Sequence, residues 1–375
     1  MNLVLFTDSL GSGGAQRQLC LLASEFQKLG HTTTLLTYNS GLGGDGEFFG
    51  PWLDARSITH EQLRLVSRWR RPMELHRALS SLAPDAVLAF QEAPSLYAEL
   101  AGLAGRRWGL VVSERNARPQ SNEGFHGIMR IAHRSADGVA TNSQANRALI
   151  KLSPGCGRVD VHVIYNAVNM QSFIPAPKGP EPISFDRHPL KIVVLARHER
   201  QKNLLGVLKA LLHLRGQVPV QLRWYGGTRA DRAPFEEGER FISENKMGAE
   251  VQLLPPTQDA RQAYWESDAV LLASWYEGCP NVICEAMACG KPVLVSAVSD
   301  NPLIVQDGVT GLLFDPNSPA AIAETISRFA ALDLEKRQAM GSEGRRRAEA
   351  LFDPIVCARR YEELLSDAAT RHGGT

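Results

Sequence analysis

An α/β fold made of two domains, each a doubly wound parallel sheet, is predicted by three observations. The chain opens with the apolar run Leu3-Val4-Leu5-Phe6, a loop bearing Gly11, Gly13 and Gly14, and a helical pattern from Ala15 to Leu29. That helix sets Leu19, Leu22, Ala23 and Phe26 on one face, ends at Gly30, and is followed by a second strand from Thr32 to Tyr38. This is a βαβ unit, which implies a parallel sheet with crossover helices. Second, short apolar runs alternate with helix-compatible sequence along the rest of the chain. Third, 375 residues exceed one ordinary core, and residues 174–190 hold five prolines with little apolar periodicity, as a linker does.

The elements follow in order. Asp85–Phe90, Trp108–Ser113 and Gly138–Asn142 read as strands of the first domain, residues 1–173. After the linker, Lys191–Ala196 opens a second sheet, followed by a charged loop and an apolar helix from Leu204 to Leu214. Val220–Tyr225, Val251–Leu254, Ala269–Ala273, Pro292–Val295 and Leu312–Phe314 continue it, within residues 191–354. Helical patterns at about 319–330 and 335–370 close the chain.

Composition excludes several classes. Apolar content of 44% and charged content of 22% suit a globular protein, and a net charge of +1 does not propose a nucleic-acid partner. Six scattered cysteines without a C-x-x-C pair argue against a zinc site or disulfide framework and suit a reducing compartment. Met1 leads directly into a strand, without the basic and apolar regions of a signal peptide, and no apolar run is long enough to span a bilayer. The expectation is a cytoplasmic protein.

The chemistry concentrates in Ser274–Pro292, after the apolar run Ala269–Ala273. A short loop, a helix starting near Pro280 and a Gly290-Lys291-Pro292 stop follow one another, with Glu277 in the loop and Glu285 eight residues on. The amides of Cys279, Pro280's neighbour Asn281, and Val282 stand at the helix mouth, where unpaired N–H groups bind anions. Acid, phosphate cradle and acid suit a nucleotide-diphosphate ligand. The first loop, by contrast, is not a dinucleotide fingerprint: its glycines lack the G-x-G-x-x-G spacing, and no acidic residue ends the second strand. It is either good packing or a backbone approach to a ligand. Glu114 and Arg115 follow a strand directly and are either ligand groups or a surface ion pair. Arg68-Trp69-Arg70-Arg71 and Arg106-Arg107-Trp108 are either solvated faces or docking patches for an anionic membrane surface.

Together these residues resemble the retaining glycosyltransferases of family 4, with the GT-B architecture. The resemblance rests on Glu277-(seven residues)-Glu285 within Glu-Gly-Cys-Pro-Asn-Val-Ile-Cys-Glu-Ala-Met-Ala-Cys-Gly-Lys-Pro-Val, on Asp307-Gly308-Val309-Thr310-Gly311-Leu312-Leu313, on Gly13-Gly14-Ala15-Gln16-Arg17, and on Arg197 with Lys202-Asn203. It implies two domains facing across a cleft: an acceptor-binding first domain rejoined by the last helix, about 355–375, and a donor-binding second domain. It also implies a UDP-sugar donor, no metal, and a lipid-linked or polysaccharide acceptor. Arg197 and Lys202 match the cations that stabilise the leaving diphosphate, Glu285 the ribose acceptor, and Glu277 the residue beside the transferred sugar. Gly13, Gly14 and Arg17 match the first-domain loop that closes on the donor, and Gly226 a turn lining the donor pocket.

Two departures stand out. Many members carry a histidine where Val112-Ser113-Glu114-Arg115-Asn116 falls, so the position is Glu114 or Arg115 here. The Ser-Glu-Arg-Asn version resembles the branch that builds bacterial polysaccharides and lipid-linked oligosaccharides, often from N-acetylhexosamine donors. Leu254-Pro255-Pro256 stands where glycine is common near the base. A UDP-sugar 2-epimerase of the same architecture and a non-catalytic nucleotide-sugar-binding subunit are the competing readings. The first needs no acceptor, and the second binds donor without transfer or hydrolysis.

Overall fold

The computed structural model describes residues 1–11, 13–39, 48–115, 130–177, 189–228 and 231–372. Asn116 of the Ser-Glu-Arg-Asn motif and residues 178–188 of the expected linker lie outside the described residues. The chain divides into two compact units, one formed by Met1–Ala167 with Phe352–Thr375 and the other by Val168–Leu351. The division thus falls before the proline-rich segment. Residues 168–177 pack onto the second unit, where Trp265 Nε1 donates to Ile174 O (2.8 Å) and Arg345 Nη1 to Phe173 O (2.6 Å).

In the first unit the strands are β1 (Asn2–Phe6), β2 (Thr32–Thr37), β3 (Thr59–Gln62), β4 (Ala86–Phe90), β5 (Gly109–Glu114), β6 (Gly138–Thr141) and β7 (Val161–Val163). They pair in the order β3-β2-β1-β4-β5-β6-β7, all parallel. Because side chains alternate across a strand, Leu3 and Leu5 enter one core layer while Val4 and Phe6 enter the other. Both faces are therefore apolar, and the strands read as continuous hydrophobic runs. The edge strands β3 and β7 escape sequence reading: Thr59-His60-Glu61-Gln62 is polar and largely exposed, and β7 has three residues.

The closing helical pattern is two helices, Leu334–Phe352 and Pro354–Thr370, broken where the Asp353 carboxylate accepts from Ile355 N (2.9 Å). The second returns to the first unit and lays Cys357, Ala358, Tyr361 and Leu365 into the layer that holds Leu3 and Leu5. Gly109 permits this. A Cβ there would stand 2.4 Å from the Ala368 carbonyl carbon, so only glycine lets the helix lie flush on β5.

The second unit holds β8 (Leu190–Leu195), β9 (Val220–Tyr225), β10 (Val251–Leu254), β11 (Ala269–Leu272), β12 (Val293–Ser296) and β13 (Gly311–Phe314). The order is β10-β9-β8-β11-β12-β13, again all parallel. In both sheets the order reverses beside the first strand: between β1 and β4, and between β8 and β11. Ligands of doubly wound sheets gather outside the carboxyl ends of such strands.

The two basic-aromatic clusters differ. Trp108 is 3% exposed, and Arg106 is bound by Asp137 at 2.5 and 3.0 Å, so the second cluster is packing rather than a docking patch. Trp69 is 80% exposed beneath the Arg68 guanidinium, 4.7 Å from its ring centre, with Leu65 at 70% and Met73 at 56% nearby. No helix among the described residues is long and apolar enough to cross a membrane.

Candidate functional site

The switch point of the second sheet brings two loops together. The loop after β8 carries Arg197, runs through a 3-10 turn at Arg200–Lys202, and reaches Asn203 in the left-handed region at φ 58°. The amide side chain of Asn203 donates to Pro316 O (2.8 Å), anchoring a conformation that asparagine tolerates better than most residues. The loop after β11 carries Trp275, Tyr276 and Glu277. Gln201 clasps it from both sides: its carbonyl accepts from Trp275 N (3.0 Å), and its Nε2 donates to Tyr276 O (2.6 Å). That clasp sets Lys202 Nζ 2.5 Å from Glu277 Oε1, both mostly buried, and Glu277 N donates to Ser299 Oγ (3.2 Å). Arg197, the other expected cation, is half exposed and pairs with Glu199 at 3.0 Å.

The helix Asn281–Ala288 begins at once beyond this pair. Pro280 is its extended N-cap residue, no side chain caps it, and the Pro280 carbonyl accepts from Ile283 N (3.0 Å) and Cys284 N (3.2 Å). The Cys279–Val282 backbone forms its mouth, where the positive end of the helix dipole lies. Glu285 stands farther in, buried, accepting from Tyr264 Oη (3.1 Å), and the Tyr264 ring lies 6.3 Å from Phe173. The two acids therefore have different surroundings: Glu277 faces a cation, and Glu285 takes a neutral hydroxyl.

Gly226 has a packing reason. A Cβ there would stand 2.0 Å from Ala196 O, so the end of β9 can approach the loop after β8 only as glycine. Beneath that loop His198 is buried between Trp224 (6.0 Å, stacked) and Phe235 (4.9 Å), and burial holds its imidazole below the ordinary value. Among the described residues no group of three or more His, Cys, Asp or Glu could hold a metal ion.

In the first unit, Gly13, Gly14 and Arg17 stand at the start of the helix Gly14–Lys28, after β1. Asp8 organises that turn by accepting from Ser9 N and Gln16 Nε2, each at 2.7 Å. Glu114 and Arg115 turn inward at the end of β5. Glu114 accepts from Arg130 Nε (2.9 and 3.0 Å) and Nη2 (2.7 Å), and Arg130 Nη1 also donates to Ser153 Oγ (3.2 Å). His133 extends the cluster: Nδ1 lies 2.6 Å from Glu99 Oε1, and Nε2 lies 3.8 Å from Glu114 Oε2, an ion-pair distance too long for a hydrogen bond. Burial opposes the charge on His133, but Glu114 and Glu99 outweigh it and push the imidazole up to about 9. Burial likewise works to raise the Glu114 carboxyl, yet His133 and Arg130 hold it below the ordinary carboxylate value. Arg115 donates to Tyr361 Oη (2.9 Å) and to Asn166 Oδ1, and lies over the Phe90 ring at 4.6 Å. In this structure Glu114 serves Arg130 and His133, and Arg115 fastens the returning helix to β5.

Sequence reasoning missed Gln201, Ser299 and Tyr264, which set the positions of Lys202, Glu277 and Glu285. None belongs to a motif. It also missed Arg130 and His133, which look like ordinary surface charge in the sequence.

Comparisons with known proteins show the family and the fold. Residues 12–172 match the family model described as "Glycosyltransferase Family 4", and residues 178–347 match "Glycosyl transferases group 1". WcaL of Escherichia coli, provisionally named a colanic acid biosynthesis glycosyltransferase, is 28% identical over 221 residues, covering 56% of this chain and 52% of WcaL. A D-inositol 3-phosphate glycosyltransferase of a Mycobacterium species is 28% identical over 192 residues, covering 50% of this chain and 43% of that protein. The chain thus spans about half the length of these curated relatives. Among solved structures, HepE of Anabaena in complex with UDP superposes with a TM-score of 0.82 at 21% identity, covering 98% of this chain and 100% of that one. At that identity the likeness shows the fold alone: two parallel-sheet domains of GT-B type. Since the two family models between them account for most of the chain, it belongs to the glycosyltransferase family that they describe.

Proposed function

We propose that this protein is a retaining glycosyltransferase that takes a sugar from a UDP-sugar, without a metal, and transfers it to a lipid-linked or surface-polysaccharide acceptor. The observation that carries this reading is the Lys202–Glu277 pair, held at the sheet's switch point beside the mouth of the helix Asn281–Ala288. HepE, a structural neighbour, is solved with UDP, and WcaL carries a polysaccharide-building name. Both support the assignment of ligand class.

The chemistry follows from charge. As the glycosidic bond of a UDP-sugar breaks, negative charge grows on the β-phosphate. Fixed cations and helix amides stabilise it without reorganising. Lys202 and the Cys279–Val282 backbone supply these, with Arg197 reaching in from the exposed side of the same loop. Glu285, oriented by Tyr264, takes the ribose hydroxyls. Glu277 orients the sugar and supports positive charge at the anomeric carbon. The acceptor hydroxyl attacks from the leaving group's own face, and its proton passes to the departing diphosphate. An N-acetylhexosamine is the first donor sugar to test.

The acceptor side includes a membrane. The exposed face formed by Arg64, Leu65, Arg68, Trp69, Arg70 and Met73 pairs arginines with large apolar groups, a combination that suits an anionic headgroup layer on the cytoplasmic side.

Steady-state kinetics with the UDP-sugar that gives the largest thermal shift test the assignment. Glu285→Ala raises the donor KM, and Glu277→Ala lowers kcat. Near-wild-type constants for both variants refute it. Conversion of donor alone to an epimer would favour the epimerase reading.

A further inference from the structure

The donor-site helix contains a feature that glycosyl transfer does not use. Cys279 lies in the loop at its mouth and Cys284 in its second turn, and their sulfurs are in contact at 3.6 Å. Both are buried; Cys284 is wholly covered, whereas Cys279 sits in the stretch that must receive the phosphates. Cys289, the third cysteine of this segment, is equally buried on the far side of the helix end, and burial pushes its thiol up to about 12.

We propose that Cys279 and Cys284 form a modification site, at which a peroxide oxidant joins the two thiols in a disulfide and disables the donor loop. The Cys279 sulfur attacks hydrogen peroxide: an S–O bond forms, the O–O bond breaks, and water leaves with the thiol proton. The Cys284 sulfur then attacks the sulfenic sulfur: the S–S bond forms, the S–O bond breaks, and a second water leaves. Two thiols are oxidised and one peroxide is reduced to two waters. A thiol reductant reverses the step by exchange.

Geometry dictates which part moves. A disulfide holds its sulfurs about 2.05 Å apart, so the present contact must close by roughly 1.5 Å. Cys284 is fixed in a packed helix, so the movement falls on Gly278-Cys279-Pro280, between Glu277 and the first helical amides. Clamping that loop displaces the groups assigned to the diphosphate. Formation of the bond depends only on the sulfur contact, whereas its effect on the donor rests on the function proposed above.

The sequence provides a clean assay. Cleavage after glutamate releases residues 278–285 with both cysteines, while Cys289 falls in the next fragment. The full-length protein is treated with hydrogen peroxide, alkylated, digested and weighed, and UDP affinity is measured before and after. The expected result is a 278–285 fragment that lacks two hydrogens and carries no alkyl group. UDP affinity should fall about tenfold, the scale of one charge-assisted hydrogen bond, and dithiothreitol should restore it. Cys284→Ala should keep its UDP affinity under peroxide, and Cys289→Ala should still form the link. Two alkyl groups on the fragment after treatment, or a linked protein that binds UDP like the reduced one, would overturn the proposal. A reduced protein that ignores UDP refutes the donor assignment instead, and the fragment mass still decides the thiol pair.

Discussion

Replacing Arg130 by methionine should destabilise the first unit far more than a surface arginine would. Arg130 is 1% exposed and gives three short contacts to Glu114 and one to Ser153. Methionine keeps most of the volume but leaves the Glu114 carboxylate buried, with His133 as its other ion-pair partner among the described residues, at 3.8 Å. Breaking a buried pair by removing one partner costs about 3–5 kcal/mol, because the other charge stays desolvated. For a domain of this size each kcal/mol shifts the melting temperature by about 2–4 °C, so Arg130→Met should lower it by about 10 °C. The control is Glu114→Leu combined with Arg130→Met. Replacing the whole pair by apolar groups is often neutral, so the double variant should recover most of the loss. Circular dichroism melts at neutral pH, with calorimetry to separate the two units, measure this. A single-variant loss under about 1 kcal/mol, or a double variant as unstable as the single, refutes the account of a buried, mutually dependent pair.

The same cluster gives a pH signature. The His133 imidazole is raised from 6.5 to about 9, so its contribution is fully present below pH 6.5 and is lost as pH rises through 9. At 1.36 kcal/mol per unit this is on the order of 3 kcal/mol. Glu114, whose carboxyl is lowered, acts at the other end: its contribution is present above the ordinary carboxylate value and is lost as pH falls. Melting temperature should therefore drop between pH 7 and 10, and His133→Phe should flatten that drop. An unchanged slope in the variant would assign the alkaline loss elsewhere. The Glu114→Leu/Arg130→Met protein also decides Glu114's role, since a positioning pair predicts retained turnover and a catalytic carboxylate predicts none.

Two further outcomes are expected. Gly226→Ala forces a methyl to within 2.0 Å of a backbone carbonyl, which neither strand end can yield, so stability should fall by about 1–3 kcal/mol and donor affinity with it; denaturant melts with and without UDP check both. Wild-type protein should sediment with phosphatidylglycerol vesicles at low salt and be released by high salt, whereas Arg68→Glu/Trp69→Ala should stay in the supernatant; equal binding of the two refutes the docking face.

Much of this fold is legible in the sequence because parallel strands buried on both faces are continuous apolar runs. Leu3–Phe6, Ile192–Leu195 and Ala269–Leu272 show themselves in this way. Strands that lie at an edge do not, and Thr59-His60-Glu61-Gln62 has no apolar signal at all. The second domain's site is legible for a related reason: Glu277, Pro280 and Glu285 lie on one loop and one helix, so local spacing fixes their separation. The contacts that close the site are not local. Lys202 meets Glu277 across 75 residues, through a clasp made by a glutamine in no motif. Glu114 and Arg115 show the converse. A charged pair at the end of a strand looks like a ligand group, and only the fold reveals Arg130 and Tyr361 waiting inside for Glu114 and Arg115.

The Lys202–Glu277 contact has a consequence for how the proposed reaction is timed. Each group neutralises the other, which makes a buried carboxylate tolerable at the carboxyl ends of β8 and β11. A diphosphate arriving at the mouth of the helix Asn281–Ala288 brings more negative charge than a single carboxylate and competes for the same ammonium. As Lys202 turns to the phosphate, Glu277 is left less compensated, beside the sugar whose anomeric carbon must become positive. The binding of the leaving group would thus sharpen the field that drives its departure. On this reading Lys202→Met should harm the protein twice, by removing the phosphate's cation and by leaving the buried Glu277 carboxylate without its partner. Its melting temperature would then fall, and Lys202→Met combined with Glu277→Gln would recover most of the loss. A single variant as stable as wild type would show that Lys202 serves the phosphate alone.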